Sequence, residues 1–157
     1  MKIALITIGK TREQYLIDAI NDYIKRISHY NKFDLFELPS IKNASKLSVS
    51  EQIIFESKLI VKQLKKTDYV ILLDEKGQDF SSIKFANKLN NWFCIGKKRL
   101  VFVIGGAYGI SKSLDNLANI KLSLSKMTFS HQIIRLIFLE QLYRAFTILK
   151  NEPYHNI

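Results

Sequence analysis

The chain has 157 residues, 47% of them hydrophobic and 11% aromatic, enough for one buried core, and its six glycines and two prolines exclude collagen-like or proline-rich disorder. A single cysteine, Cys94, excludes an internal disulfide and a Cys-based zinc site, and no run reaches the roughly 18 apolar residues of a membrane helix. Twenty-four Lys and Arg stand against 14 Asp and Glu, a net charge of +10 that attracts polyanions, with the basic residues dispersed rather than gathered in a tail.

Strand and helix patterns alternate along the chain. Residues 2–8 form a β-branched run that is too short for a signal peptide, has no small-residue cleavage site after it and reads as a first strand. Together with the lone cysteine this points to a reducing cytoplasm. Thr11 offers an N-cap for a helix whose apolar face carries Leu16, Ile20, Tyr23 and Ile27. Phe33 to Leu38 is a second strand, stopped by Pro39, and the polar residues 40–48 suggest a mobile loop. Ser50 can cap a helix through Lys65, with Ile53, Ile54, Leu59, Ile60, Val61 and Leu64 mostly on its buried side. Tyr69 to Leu73 is a continuous apolar run of the buried parallel type, ending at the turn Asp74-Glu75-Lys76-Gly77. Ser81 or Ser82 begins a helix to about Phe93. Leu100 to Ile104 is another buried strand that runs into Gly105-Gly106-Ala107-Tyr108-Gly109. A short helix at 112–117, a short strand at 120–123 and a long helix over about 131–150 complete the chain.

This order predicts a single α/β domain over 1–157, a mostly parallel sheet with helices on both faces. The last helix is apolar on two sides: Ile134, Phe138, Leu142, Ala145 and Leu149 on one, Leu136, Leu139, Tyr143 and Phe146 on the other. One side packs on the sheet. The second, in so small a domain, suggests a dimer interface.

Ligands of open α/β sheets sit beyond the carboxyl ends of the strands. The Asp74–Gly77 turn, the glycine turn at 105–109 and the Ser/Thr-rich stretch after residue 123 all fall there. The glycine turn matches neither the GxGxxG dinucleotide pattern nor a phosphate-binding loop, and by itself is equally consistent with a tight βα turn. Ser123, Ser125 and Thr128 read as caps of the last helix or as pocket lining. His29 reads as an edge residue and His131 as structural. His155 lies in a tail that would ordinarily fray. No HExxH-type metal spacing and no GxSxG nucleophile turn is present.

The chain resembles the RlmH family, small SPOUT-class methyltransferases of ribosomal RNA. The residues that carry the resemblance are Gly9-Lys10 after the first strand, Leu73 to Gly77 with Ser81-Ser82 and Phe85-Ala86, Ile104 to Gly109, Leu122 to His131, Leu142 to Ala145, and Asn151 to His155. They occur in order over essentially the whole length. Ser130 and Gln132 depart from the prolines that often flank the matched histidine in the family.

The resemblance implies a C-terminal deep trefoil knot that forms the pocket for S-adenosylmethionine, with cofactor contacts at Leu73, Gly105, Leu124, Ser125, Lys126, Met127, Thr128 and Phe129. It implies a homodimer without a metal. The substrate would be N3 of a pseudouridine in large-subunit (23S) ribosomal RNA of the assembled ribosome. Arg144, Tyr154 and His155 are the matched candidates for the RNA base: Arg144 for phosphate or for charge on the imide oxygens, Tyr154 for stacking, and His155 as a titratable group near the imide proton. Arg135 is a weaker candidate for RNA contact. The alternatives are a non-catalytic RNA-binding or ribosome-assembly factor, and a knotted methyltransferase acting on tRNA.

Overall fold

The structure, a computed structural model, describes residues 1–41 and 44–155. Five strands form one sheet, β1 (Lys2–Ile8), β2 (Phe33–Leu38), β3 (Asp68–Asp79), β4 (Arg99–Ile104) and β5 (Ile120–Ser123), in the order β2-β1-β4-β3-β5. Every pairing is parallel. The five α-helices are α1 (Gln14–Ser28), α2 (Val49–Gln63), α3 (Ser82–Phe93), α4 (Lys112–Asp115) and α5 (Ile133–Leu149).

The apolar runs Ile3–Ile6 of β1 and Leu100–Ile104 of β4 follow from burial on both faces. Ile3, Leu5, Leu100, Phe102 and Ile104 point to one side, where α1, α3 and α5 cover them through Ile20, Leu89 and Phe138. Ala4, Ile6, Val101 and Val103 point to the other, under Ile60 of α2 and Leu114 of α4. The expected architecture is therefore observed, and both faces carry helices.

Local expectations are revised in several places. Helix α1 begins at Gln14 without a side-chain cap, because Thr11 is engaged with Glu37 instead: its backbone N–H and hydroxyl both donate to Glu37 Oε1 at 2.7 Å. Helix α2 is capped by Ser48, not Ser50, since the reciprocal Ser48–Glu51 capping box satisfies two backbone donors at once. Its buried residues are Glu56, Ser57 and Ile60, while Ile54 is exposed. A 3-10 turn at Ala44–Lys46 occupies part of the segment read as a mobile loop, and Lys42 and Asn43 of that segment lie outside the described residues. Ser81 caps α3.

Strand β3 does not stop at Leu73. It pairs with β5 through Leu73, shifts register, and pairs again at Gln78 and Asp79, so Asp74 to Gly77 bow out of the sheet. Gly77 is required there, since a Cβ would stand 2.6 Å from the Lys121 carbonyl carbon.

The chain itself covers much of the second face of α5, where Leu136 and Tyr143 are half-buried. Leu139 and Phe146 are buried, and the Phe146 ring stacks on Tyr30 at 5.4 Å and on Phe93 at 6.1 Å. Helices α1 and α3 flank α5 on one side of the sheet and supply the cover expected of a partner. Burial of Leu139 and Phe146 is thus explained within one copy.

Candidate active site

A cleft of about 770 Å³ opens beyond the carboxyl ends of β3, β4 and β5, within the size of small-molecule sites. Its position follows from the sheet order, since three neighbouring strands release their loops at one edge. Leu73, Gly105, Leu124, Ser125, Met127, Thr128 and Phe129 all line it. Lys126, expected among the cofactor contacts, is not part of the lining and is exposed.

The walls combine two kinds of surface. Leu73, Ile104, Leu122, Leu124 and Ile134 present apolar side chains, and Asp74 and Glu75 add acidic ones. The glycine turn presents backbone. A Cβ on Gly105 would lie 2.8 Å from Ile110 Cγ2 and 3.0 Å from the Gly109 carbonyl oxygen, so the turn closes only with glycine there. Gly109 adopts φ +94°. The cleft fits a flat heteroaromatic group with a short, charged tail: hydrophobic faces for the ring, backbone groups for its polar edge and carboxylates for a positive charge.

The stretch after β5 is ordered by its own side chains. Ser123 Oγ donates to the Ser125 carbonyl at 2.9 Å, Ser125 Oγ accepts from the Met127 N–H at 2.9 Å, and Thr128 Oγ1 donates to Glu75 Oε2 at 2.9 Å across the cleft mouth. None of them caps α5, whose N-cap position is Gln132 without a side-chain cap; just before it the Ser130 hydroxyl accepts from the Ile133 N–H at 3.2 Å. Where the family often has prolines, Ser130 thus braces the turn that leads into α5, and Gln132, the N-cap residue, ties it to the first loop. Its Oε1 accepts from the Arg12 N–H at 3.1 Å and its Nε2 donates to the Lys10 carbonyl at 3.2 Å.

Arg135 is a structural residue rather than an RNA contact. It is 1% exposed, and its guanidinium donates to the carbonyls of Ile8 (2.7 Å), Gly9 (3.0 Å) and His131 (2.9 Å) and to Glu37 (3.0 Å). These bonds pin the start of α5 to the ends of β1 and β2. Burial and the cationic Arg135 and Arg12 hold His131, at the cleft edge, below the usual histidine range.

Arg144, Tyr154 and His155 form a second assembly. The tail does not fray along its described length; it folds back on α5 and α1. The Tyr154 ring packs edge-on against Tyr143 at 4.8 Å, and Arg144 lies over it at 4.8 Å. The Tyr154 hydroxyl donates to Glu140 Oε1 and meets the Tyr23 hydroxyl, both at 3.2 Å. Arg144 donates to Glu140 through Nε at 3.0 Å and Nη2 at 2.5 Å, and its Nη1 stands 3.4 Å from His155 Nδ1. Glu152 accepts from the Tyr30 hydroxyl and anchors the tail further. Burial, with Tyr23 and Glu140, pushes the Tyr154 phenol far up, and Glu140 raises the Arg144 guanidinium. One stays neutral and the other cationic. Asn156 and Ile157 lie outside the described residues.

Sequence reading found these three residues but not the frame that holds them. Glu140 was legible as the neighbour four positions before Arg144; Tyr23 and Tyr143 carried no signal beyond core packing. Among the described residues no cluster of three or more His, Cys, Asp or Glu side chains could hold a metal ion, and no helix is long and apolar enough to cross a membrane.

Residues 1–155 match the family model described as "Predicted SPOUT methyltransferase". The chain is 53% identical to the protein named "Ribosomal RNA large subunit methyltransferase H" of Parabacteroides distasonis over 156 residues, covering 99% of each. It is 54% identical to the protein of that name in Flavobacterium johnsoniae, again over 99% of each. In fold it is similar to a tRNA methyltransferase of Aquifex aeolicus, with a TM-score of 0.58 at 16% identity, over 100% of this chain and 76% of that one. A probable methylase family protein of Haemophilus influenzae gives 0.53 at 12% identity, over 99% of this chain and 70% of that one.

Proposed function

The chain belongs to the SPOUT methyltransferase family, and from that premise we propose that it methylates N3 of a pseudouridine in large-subunit (23S) ribosomal RNA, on the assembled ribosome, as a cytoplasmic homodimer. Its methyl donor is S-adenosylmethionine. The observation that carries the reading is the cleft at the glycine turn in a chain about half identical, end to end, to proteins named ribosomal RNA large subunit methyltransferase H. The charge of +10 supports an RNA partner. The knotted crossing that the family implies would be the return of the chain from β5 through Leu124–Phe129 into α5.

Leu73, Gly105 and the Leu124 to Phe129 segment hold the cofactor in this reading, with Lys126 outside the lining. The bound cofactor supplies an electrophilic methyl on a sulfonium. The chain's own work is to hold N3 in line with it and to let the imide proton leave. Arg144, kept cationic by Glu140, meets phosphate or the imide oxygens as they gain charge. Tyr154, kept neutral, offers a ring face or a hydroxyl but not a base. His155 is the remaining titratable group of the cluster.

The cleft and the cluster lie toward opposite ends of α5. Ile134 lines the cleft, and Arg144 follows ten residues later, about 15 Å along the axis at 1.5 Å per residue. In a dimer the cluster of one copy can stand at the cleft of the other. The exposed Met127 (76%) and Phe129 at the cleft mouth support such a cover.

The test is a methylation assay offering intact ribosomes, separated subunits and tRNA. Transfer to N3 of a pseudouridine on intact ribosomes is expected. Transfer to free tRNA alone would replace the substrate, and absence of both cofactor binding and transfer would favour a non-catalytic ribosome-assembly factor.

A further inference from the structure

Glu56 is a buried ionisable group that the assignments above leave unused. It lies on α2 at 4% exposure. Its Oε1 accepts from Gln52 Nε2 at 3.2 Å, and its Oε2 has no hydrogen-bond partner among the described residues. Oε2 is pressed against Gly106, where a Cβ would stand 2.0 Å from it. Gly106 is part of the cleft wall. The next residue, Ser57, holds the far end of the same turn by accepting from the Ser111 N–H at 2.9 Å. Helix α2, which covers the opposite face of the sheet, thus sets a carboxyl one glycine's thickness behind the cleft.

Packing alone does not call for this group, since an unpaired buried carboxyl costs stability that a neutral side chain avoids. Among the described residues it has no charged partner. Glu51 closes the cap at Ser48 and Lys58 is exposed on α2. On α4, Asp115 pairs with Lys121 at 2.6 Å and Lys112 is exposed. Strand β1 offers Ala4, Ile6 and Ile8 on this face, and the glycine turn has no charged residue. Burial raises the carboxyl above the usual glutamate range, opposed only by Gln52. Any charge it carries is directed at the glycine turn and at what lies beyond it.

Resting on the reading that the cleft holds S-adenosylmethionine, we propose that Glu56 is a specificity-determining residue that distinguishes the sulfonium cofactor from its neutral thioether product. The two ligands share adenosine, ammonium and carboxylate. They differ by one methyl group and one positive charge. An ionised Glu56 behind Gly106 attracts that extra charge through a poorly screening interior. When the methyl leaves, the bonding pair stays on sulfur, the ligand loses its positive charge and the attraction ends, which favours product release. The linkage has a definite sign. A carboxyl raised in the free pocket is lowered by the sulfonium, so binding releases a proton, and preference for the cofactor over the thioether rises with pH above the usual glutamate range.

Calorimetric titration of the full chain with S-adenosylmethionine and with S-adenosylhomocysteine, from pH 5 to 8 in two buffers of different ionisation heat, tests this. The wild-type ratio of the two Kd values should climb about tenfold with pH, with proton release for the sulfonium ligand only, a change of about one pKa unit in the linked group. Glu56→Gln should hold the ratio flat at its low-pH value. A flat wild-type ratio, or equal proton release with both ligands, overturns the proposal, and neither needs the variant to fold. Loss of both ligands in equal proportion in Glu56→Gln also overturns it, because a merely structural residue behaves so. Failure of the wild type to bind either ligand instead removes the cofactor reading itself, and this proposal with it.

Discussion

Ile134 and Arg144 share α5 yet serve different assemblies: the first lines the cleft, the second is the centre of the tail cluster. Ten residues of helix separate them by about 15 Å, whereas methyl transfer requires reacting atoms about 3–3.5 Å apart. In the proposed dimer, a composite site built from two copies would resolve the difference. Co-expressing a cleft variant, Gly105→Val, with a tail variant, His155→Ala, should give mixed dimers in which one of two sites is intact. Each variant alone should be nearly inactive, and the mixture should recover about a quarter of wild-type turnover, since half of the dimers are mixed and each has one good site. Mixed dimers that form and stay inactive would place cleft and tail of one copy on the same base.

The Glu140 frame should matter to turnover rather than to cofactor affinity. Glu140 receives Arg144 through two nitrogens and the Tyr154 hydroxyl as well. Glu140→Ala frees both side chains, and kcat should fall about tenfold or more, corresponding to about 1.4 kcal/mol of lost transition-state positioning, with the Kd for S-adenosylmethionine unchanged. Tyr154→Phe keeps the ring contacts with Arg144 and Tyr143 and should be milder. A weakened cofactor Kd in Glu140→Ala would instead tie this frame to the cleft.

Arg135→Met should destabilise the chain and leave its intrinsic affinity for RNA nearly unchanged. The substitution removes a buried guanidinium that satisfies three carbonyl oxygens and Glu37, and leaves those acceptors without partners. A loss of about 3–5 kcal/mol is expected in urea unfolding. A fully stable variant with weakened RNA binding would return Arg135 to the interface.

Two groups make stability depend on pH, in opposite directions. Burial lowers His131, so its contribution to stability is present above the unfolded value of about 6.5 and is lost as pH falls below it. His131→Gln should therefore flatten the acid limb of a Tm-against-pH profile. Burial raises Glu56, so its contribution is present below the unfolded glutamate value and is lost as pH rises through its folded one. Glu56→Gln should raise Tm at pH 8 and change it little at pH 4. A variant equally destabilised at both pH values would assign Glu56 a packing role alone.

Much of the fold was legible because its cause is local. Apolar runs at 3–6, 69–73 and 100–104, short and bounded by turn signals, fit strands buried on both faces, and their alternation with helical spacing implies a parallel sheet. Contacts distant in sequence were not legible. Nothing near Thr11 announces that Glu37 will take it from its capping role, and nothing in β3 short of Gly77 signals that the strand resumes after its bulge. The apolar second face of α5 was ambiguous for the same reason: the pattern records that a surface is covered, not by what. Tyr30 and Phe93 are the answer, and they lie far from Phe146 in sequence.

By itself, then, the order of residues determined the elements, the sheet class, the basic character and the motifs that carry the family resemblance, since these depend on side-chain type and short-range spacing. The tertiary structure alone decided which motifs meet. It brought Leu73, Gly105 and Leu124 to one cleft, kept Lys126 out of it, set Glu56 behind Gly106, and held Arg144, Tyr154 and His155 together away from it. The physical reason is that distances across a fold follow from how helices pack on the sheet, a property of many weak contacts at once that no short segment encodes.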